Sequence, residues 1–183
     1  PNALLHTDAV QGFPWLDIPT ATKPADLISI AAHKLGGPKG IGLLVAKGKT
    51  KLAPMQLGGG QEQGIRSGTQ DVAGIVGMAA AAQQTAHTRQ ETIERITTLR
   101  NELADGLTRI EGSYETGVSR NPNGETDRSK KIAGSCHVCF EQIESEALLF
   151  LLEQENILAS AASSCSSGAQ DPSHVLSLTA TFI

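Results

Sequence analysis

Apolar and polar positions form their clearest pattern between residues 26 and 45, where two short apolar runs enclose a turn. The runs are Leu27–Ile30 and Ile41–Val45, and the turn between them holds His33, Lys34 and several glycines. Apolar runs of this length, bounded by Gly and Pro, are typical of buried strands. We therefore predict two buried strands in a hairpin-like segment that presents His33 and Lys34.

A third strand is predicted near the start of the chain. The apolar residues Ala3–Leu5 would form it, and His6-Thr7-Asp8 would end it. An acid at the carboxyl end of a buried parallel strand stands where doubly wound α/β sheets place ligand contacts. An aspartate that caps a helix or a turn is the competing interpretation.

A helical pattern extends from Gln70 to about Gly112, and we expect it to break near Thr85–Thr88. Apolar residues recur there at helical spacing, which predicts two stripes that pack into the core. The first stripe contains Val72, Ile75, Val76 and Ala79, and the second contains Ile93, Ile96, Leu99, Leu103, Leu107 and Ile110.

The rest of the chain alternates polar loops with short elements. A polar surface loop is expected at 121–131, followed by a strand around Gly134–Phe140 and a helix around Ser145–Gln154. A last short strand is predicted at Ile157–Ala159, before a loop of small residues that reaches Gln170.

Composition narrows the class of protein. The 183 residues carry a formal net charge of −4. The basic residues are scattered, so the sequence shows no basic patch of the kind that binds nucleic acid or a membrane surface. No run approaches the roughly 18 apolar residues of a membrane span. Three cysteines and no secretory signal favour a reducing compartment. Because the chain begins at Pro1 and is apolar by Ala3, we expect a piece of a longer polypeptide.

Three features carry candidate chemistry, and each has a plainer interpretation. Lys34, desolvated between strands, could act as an amine nucleophile, or it could be an exposed turn lysine. The glycine-rich segment 58–69 could form an anion-binding nest with Thr69 and the next helix, or a flexible linker. Cys165, in the loop 160–170, could be a mobile thiolate or an incidental cysteine.

Cys136 and Cys139 form a C-x-x-C pair. Three residues apart on a strand, the two side chains would face opposite sides, which argues against a metal or redox site. Buried structural thiols are the interpretation we favour, and no metal site is predicted.

Four motifs in order give the chain a resemblance to a known family. They are D-A-V-Q at 8–11, A-A-H-K-L-G-G-P-K-G-I-G at 31–42, G-G-G-Q-E-Q-G-I-R-S-G-T at 58–69, and S-S-C-S-S-G-A-Q-D-P-S-H-V-L at 163–176. Together they closely resemble the NifS/IscS-type cysteine desulfurases of group I. These are class V, fold-type I enzymes that depend on pyridoxal 5'-phosphate.

The resemblance implies a role for each matching position. Lys34 would bind the cofactor covalently, and Asp8 would pair with its pyridine nitrogen. Gln11 would donate to the ring hydroxyl, and His33, beside the catalytic lysine, would help hold the phosphate. Thr69 would reach the phosphate from the other subunit of a homodimer. Cys165 would attack the sulfur of L-cysteine and carry it as a persulfide.

The resemblance also implies an architecture and partners. Residues 1–80 would be part of the large α/β domain, a mostly parallel sheet with helices. Residues 81–183 would supply a connecting helix and a small α+β domain with the Cys165 loop. The implied partners are a second copy of the chain and a sulfur-acceptor protein such as an iron–sulfur scaffold, in the cytoplasm.

Several positions depart from the family pattern. Ala31 stands where the family usually has a phosphate-binding serine, and the tail 177–183 contains no arginine for the substrate carboxylate. The resemblance covers roughly the second half of the family's length. Two alternatives therefore stay open: a catalytically incomplete fragment or paralogue, and another class V enzyme such as a selenocysteine lyase.

Overall fold

The computed structural model describes residues 3–48 and 50–161, and the chain divides into two compact units. The first unit runs from the amino terminus to Thr97 and also includes Ile132–Gly134. The second unit takes up Thr98–Lys131 and the chain from Ser135 onward. A domain boundary near residue 80 stays a prediction.

The first unit is built on a three-stranded sheet in the order β1-β2-β3. Strand β1 is His6–Asp8, the short helix α1 is Ile18–Ala21, β2 is Leu27–Ala31 and β3 is Gly42–Ala46. Strands β1 and β2 are parallel, whereas β2 and β3 are antiparallel, with Ser29 opposite Leu44. The predicted hairpin-like segment is confirmed, although β3 begins one residue later than expected.

Strand β1 begins later than the apolar run that predicted it. The backbone of Leu5 is already bonded to Asp26: its N–H donates to Asp26 Oδ2 at 2.8 Å, and its carbonyl accepts from the Asp26 N–H at 2.8 Å. Ladder pairing with β2 therefore starts only at His6, opposite Leu27. The predicted strand at Ala3–Leu5 is wrong, but Asp8 does end a parallel strand.

The core of this unit lies against one face of β2. Ile28 and Ile30 are buried there with a cluster that also contains Ala9, Ile18, Ala25 and Leu35. Strand β3 was also predicted to be buried, and this is wrong: Leu43 and Leu44 are each 49% exposed. Within the described residues β3 pairs only with β2, so it is an edge strand that is covered on neither face completely.

Helix α2 is Val72–Leu107, a continuous helix of 36 residues. The predicted break near Thr85–Thr88 does not occur. No Gly or Pro stands between Met78 and Asp105, and the Thr88 hydroxyl donates to the carbonyl of Gln84 one turn earlier. No helix in the described part of the chain is long and apolar enough to cross a membrane.

The face of α2 that packs onto the first unit is not the predicted one. Val72 and Val76 are 67% and 61% exposed, so the first stripe is not core. The turn after β2 instead contacts Gly77 and Ala81. A Cβ at Gly77 would come within 2.9 Å of Pro38 Cγ, and one at Gly37 within 3.3 Å of Ala81 Cβ. This close approach needs small residues, which apolar periodicity does not reveal.

The second apolar stripe of α2 is also only partly buried. Leu99, Leu103 and Ile110 are each just over half exposed, whereas Ala104 is fully buried and Arg100 is 6% exposed. The buried face of this part of the helix therefore contains Arg100 and Ala104, each one position after a leucine of the predicted stripe. The prediction that the whole stripe is core is wrong.

The described residues of the second unit form two small antiparallel ladders, the last turns of α2 and one further helix. Its strands are β4 (Ser113–Glu115), β5 (Ser119–Arg120), β6 (Thr126–Asp127) and β7 (Val138–Phe140), with β4 paired to β7 and β5 to β6. Helix α3 is Ser145–Gln154, as predicted. Of the strand predicted around Gly134–Phe140, only the last three residues form β7.

The strand predicted at Ile157–Ala159 is absent from the described chain. The N–H of Ile157 donates to the carbonyl of Leu152 at 2.9 Å, and Asn156 has a φ of 58°. A residue in the left-handed region just after a helix is a common C-terminal cap. This backbone therefore closes the end of α3 instead of pairing in a sheet.

Candidate active site

Two of the predicted site residues, Asp8 and Lys34, lie at the same edge of the first sheet. Asp8 is the last residue of β1, and Lys34 ends a 3₁₀-helix, Ala32–Lys34, that directly follows β2. Since β1 and β2 are parallel, their carboxyl ends lie at the same edge. The side chains of Asp8, Gln11, His33 and Lys34 are all exposed there.

The carboxylate of Asp8 is oriented by its own backbone. Its Oδ1 accepts from the N–H of Val10 at 2.9 Å, which is an Asx-type turn. The chain then turns sharply, because the N–H groups of Gly12 and Phe13 both donate to the carbonyl of Ala9. Gln11 lies in this turn, three residues beyond Asp8.

The turn that carries His33 and Lys34 is held by a set of hydrogen bonds. The carbonyl of Ala32 accepts from the N–H groups of Leu35 and Gly37 at 3.0 and 2.9 Å. The N–H of Ala32 donates to the carbonyl of Ile41, the residue before β3. The lysine therefore stands on a short, well-connected turn with its side chain exposed, and its role as a reacting amine stays a prediction.

One residue pair at this edge was missed by the sequence reasoning. His6 Nε2 and Ser29 Oγ are 2.8 Å apart, and His6 lies on the same face of β1 as Asp8 because the two are separated by two positions. The sequence signal that could have identified this pair is the spacing of His6 and Asp8, which places both on one face of a strand. This contact ties β1 to β2 next to the site.

The structure does not bring Thr69 to this edge. Thr69 lines an open cleft of about 620 Å³ in the glycine-rich loop, together with Gln56, Leu57, Gly58, Gly59, Gln61, Arg66, Ser67 and Gly68. The loop is shaped by a hydrogen bond from the Gly68 N–H to Gln61 Oε1 at 3.2 Å and by a bridge between Gln56 and Arg66. None of Asp8, Gln11, His33 and Lys34 lines this cleft.

The two described thiols of the second unit, those of Cys136 and Cys139, are partly buried. Cys139 lies in β7 opposite Tyr114. Cys136 precedes that strand, so the prediction that the two cysteine side chains face opposite sides of one strand does not apply to it. Burial raises the pKa of the Cys136 thiol, and the charge of Glu115 adds to this effect. A thiol with a raised pKa is a poor nucleophile at neutral pH. Cys165 lies outside the described residues.

A buried ion cluster organises the second unit. Glu115, at the end of β4, accepts from Arg128 Nε at 2.7 Å and from Lys131 Nζ at 2.8 Å. Arg128 also contacts Asp105 of α2 at 2.7 Å, and Lys131 donates to the carbonyl of Thr116. Burial raises the pKa of Glu115, but the hydrogen bonds from Lys131 and Arg128 more than offset this and leave it below its ordinary value.

Comparison with known proteins defines the class of protein that this fold and site represent. Residues 1–181 match the family described as aminotransferase class-V. The chain belongs to the class-V aminotransferase family, which confirms the resemblance noted in the sequence.

The relatives and structural neighbours are consistent with that assignment. A cysteine desulfurase from Gluconacetobacter diazotrophicus is 39% identical over 176 residues, covering 96% of this chain and 42% of that protein. An IscS-like cysteine desulfurase from Mycobacterium tuberculosis is 38% identical, with 94% and 42% covered. The crystal structure of a NifS-like protein from Rickettsia africae has a TM-score of 0.76 at 27% identity, covering 88% of this chain and 42% of that one.

The similarity in fold confirms the predicted α/β class. The chain nevertheless spans less than half the length of the curated relatives that it matches. The activity, substrate and partners of the whole protein are therefore matters of proposal.

Proposed function

We propose that this chain is part of a pyridoxal 5'-phosphate-dependent cysteine desulfurase. The reaction would remove sulfur from L-cysteine, release L-alanine and leave a persulfide on Cys165. The observation that carries the proposal is the placement of Asp8 and Lys34 at the same carboxyl edge of two parallel strands. Support also comes from relatives named as cysteine desulfurases at 37–39% identity.

The residues at this edge fit the chemistry of pyridoxal 5'-phosphate. A carboxylate at Asp8, held by the Val10 N–H, suits a protonated pyridine nitrogen, and the amine of Lys34 suits the aldehyde. Gln11 would donate to the ring hydroxyl oxygen, and His33 would contribute to the phosphate site. Thr69, on its separate cleft, would serve the phosphate site of the second subunit in a homodimer.

In the proposed reaction each residue handles a defined atom. When bound, the cofactor supplies an electron sink for the bonds at the substrate Cα. Asp8 would keep the proton on the pyridine nitrogen that makes this sink effective. Lys34 Nζ would hold the cofactor, and its amine would serve as the general base that accepts the Cα proton of the substrate.

Sulfur transfer would then fall to Cys165. Its thiolate would attack the sulfur of the substrate, forming the S–S bond of a persulfide as the bond between Cβ and sulfur breaks and L-alanine leaves. The sulfur would pass to an acceptor protein of iron–sulfur cluster assembly or thiolation pathways. A cytoplasmic location is part of the same proposal.

Absorption spectroscopy tests the cofactor half of this proposal. The purified chain is titrated with pyridoxal 5'-phosphate and then with L-cysteine. We expect a visible band that requires Lys34 and changes when cysteine is added. Lys34→Ala should abolish the band, whereas Lys39→Ala, in the same turn, should leave it intact.

Product analysis tests the sulfur-transfer half. L-alanine and protein-bound persulfide should both form, and Cys165→Ser should remove the persulfide. Absence of any Lys34-dependent band would favour the catalytically incomplete fragment. Full sulfur release by Cys165→Ser would instead favour a different class V enzyme.

A further inference from the structure

The turn that carries Lys34 is braced by one side chain from far along the sequence. Thr85, in the middle of α2, donates its hydroxyl to the carbonyl of Leu35 at 3.1 Å. Leu35 directly follows Lys34 and is 7% exposed. Its carbonyl lies at the end of the 3₁₀-helix, where backbone acceptors lack a partner within the helix.

This hydrogen bond differs from those of Thr88, in α2, and Thr108, just after the end of that helix. The hydroxyls of Thr88 and Thr108 donate to carbonyls four residues earlier, those of Gln84 and Ala104. Such local bonds are the common use of a threonine inside a helix. The hydroxyl of Thr85 instead donates to a residue 50 positions earlier in the sequence, in the turn that carries Lys34.

The helix surface around Thr85 is shaped for the same contact. Ala81 lies one turn before Thr85, and Gly77 lies one further turn back, so the three residues share one face. The turn approaches this face so closely that a Cβ on Gly37 would meet Ala81 Cβ at 3.3 Å. The small residues Gly77 and Ala81 leave room for the turn, and the hydrogen bond from the Thr85 hydroxyl sets its position.

We propose that Thr85 is a positioning residue for Lys34. Its hydroxyl fixes the carbonyl of Leu35, the residue that caps the 3₁₀-helix, and this fixes where the lysine amine stands relative to Asp8. The inference deepens the proposed function, and it rests on that function only for the role of Lys34. Precise placement matters because a reacting group displaced by about 1 Å can lose a hundredfold in rate.

The first arm of the test measures the turn without the cofactor. Hydrogen–deuterium exchange of the peptide covering 32–37 is compared among the unmodified chain, Thr85→Val, Thr85→Ser and Thr88→Val. Loss of one hydrogen bond should speed exchange of this peptide by about tenfold in Thr85→Val. Thr85→Ser retains a hydroxyl and should restore protection, and Thr88→Val should match the unmodified chain.

The second arm measures the lysine amine. The proteins are incubated with pyridoxal 5'-phosphate, reduced with borohydride and mapped by mass spectrometry, with Lys47 as the internal reference. We expect labelling at Lys34 relative to Lys47 to fall several-fold in Thr85→Val and to recover in Thr85→Ser. If Thr85→Val does not fold, Thr85→Ala replaces it, since alanine favours the helix.

The outcomes separate the two proposals. Unchanged exchange at 32–37 in Thr85→Val, or equal changes in Thr88→Val, would overturn the positioning role. Absence of Lys34 labelling in the unmodified chain would count against the proposed function, and the exchange arm would still decide whether Thr85 holds the turn.

Discussion

The sharpest prediction for stability concerns Glu115→Gln. The Glu115 side chain is 2% exposed and accepts from both Arg128 and Lys131, whose side chains are 12% and 8% exposed. Removing its charge leaves Lys131 Nζ near a neutral amide, with only the carbonyl of Thr116 as a full acceptor. The amide group also places a donor where one of the two cations now donates.

The expected magnitude follows from burial. Removing one member of a buried ion pair costs about 3–5 kcal/mol, because the remaining charges stay desolvated without compensation. The matched control is Asp105→Asn, which removes the other carboxylate that contacts Arg128. Asp105 is 56% exposed, so its loss should cost about 0–1 kcal/mol.

Urea unfolding followed by far-ultraviolet circular dichroism measures both variants. With a denaturant slope of about 1–3 kcal/mol per molar, Glu115→Gln should lower the midpoint by about 1 M or more. Asp105→Asn should move the midpoint by far less. Equal shifts in the two variants would refute the reasoning that burial, and not the ion pair itself, sets the cost.

The same cluster predicts how stability depends on pH. The pKa of Glu115 is lower in the folded protein than in the unfolded chain, because Lys131 and Arg128 favour the carboxylate. Its contribution is therefore complete above the unfolded pKa, near 4.3, and is lost as the pH falls through the folded value. In Glu115→Gln the unfolding midpoint should depend less on pH in this acidic range.

Two further predictions concern packing and reactivity. In Gly134→Ala the new Cβ would overlap the ring of Trp15, the single tryptophan, so this variant should lose about 1–3 kcal/mol of stability and shift tryptophan emission. Gly106→Ala, which has open space around it, should stabilise by roughly 0.5–1 kcal/mol. An unchanged emission spectrum in Gly134→Ala would contradict the contact. Cys136, whose thiol pKa is raised by burial, should react with iodoacetamide more slowly at pH 7.5 than glutathione does, measured by mass spectrometry, and an equal or faster rate would contradict this.

Local pattern accounts well for the elements around the site. The apolar runs flanking His33 and Lys34 predicted β2 and β3 to within a residue at each end, because Gly and Pro mark where strands stop. Helix α3 has the predicted bounds. For Asp8 the sequence left two interpretations open, and the structure shows features of both: it ends the parallel strand β1, and its Oδ1 accepts from the N–H of Val10 in a turn. Roles at Asp8, Gln11, His33, Lys34, Thr69 and Cys165 came from motif resemblance and stay predictions.

Sequence reasoning was weakest for burial, and the reason is physical. Periodicity identifies an apolar face but not the surface that it meets. The turn at 36–38 approaches α2 too closely for a valine or isoleucine, so Gly77, Ala81 and Thr85 form the contact face while Val72 and Val76 are exposed.

By itself the sequence determined the family, the α/β class and the bounds of the two strands that flank Lys34, since these depend on residues close together in the chain. Only the tertiary structure decided which face of α2 packs, that Thr85 bonds to Leu35, and that Glu115 meets Arg128 and Lys131. Those contacts join residues 13 to 50 positions apart. No local pattern specifies such pairs, because the geometry of the packed backbone brings them together.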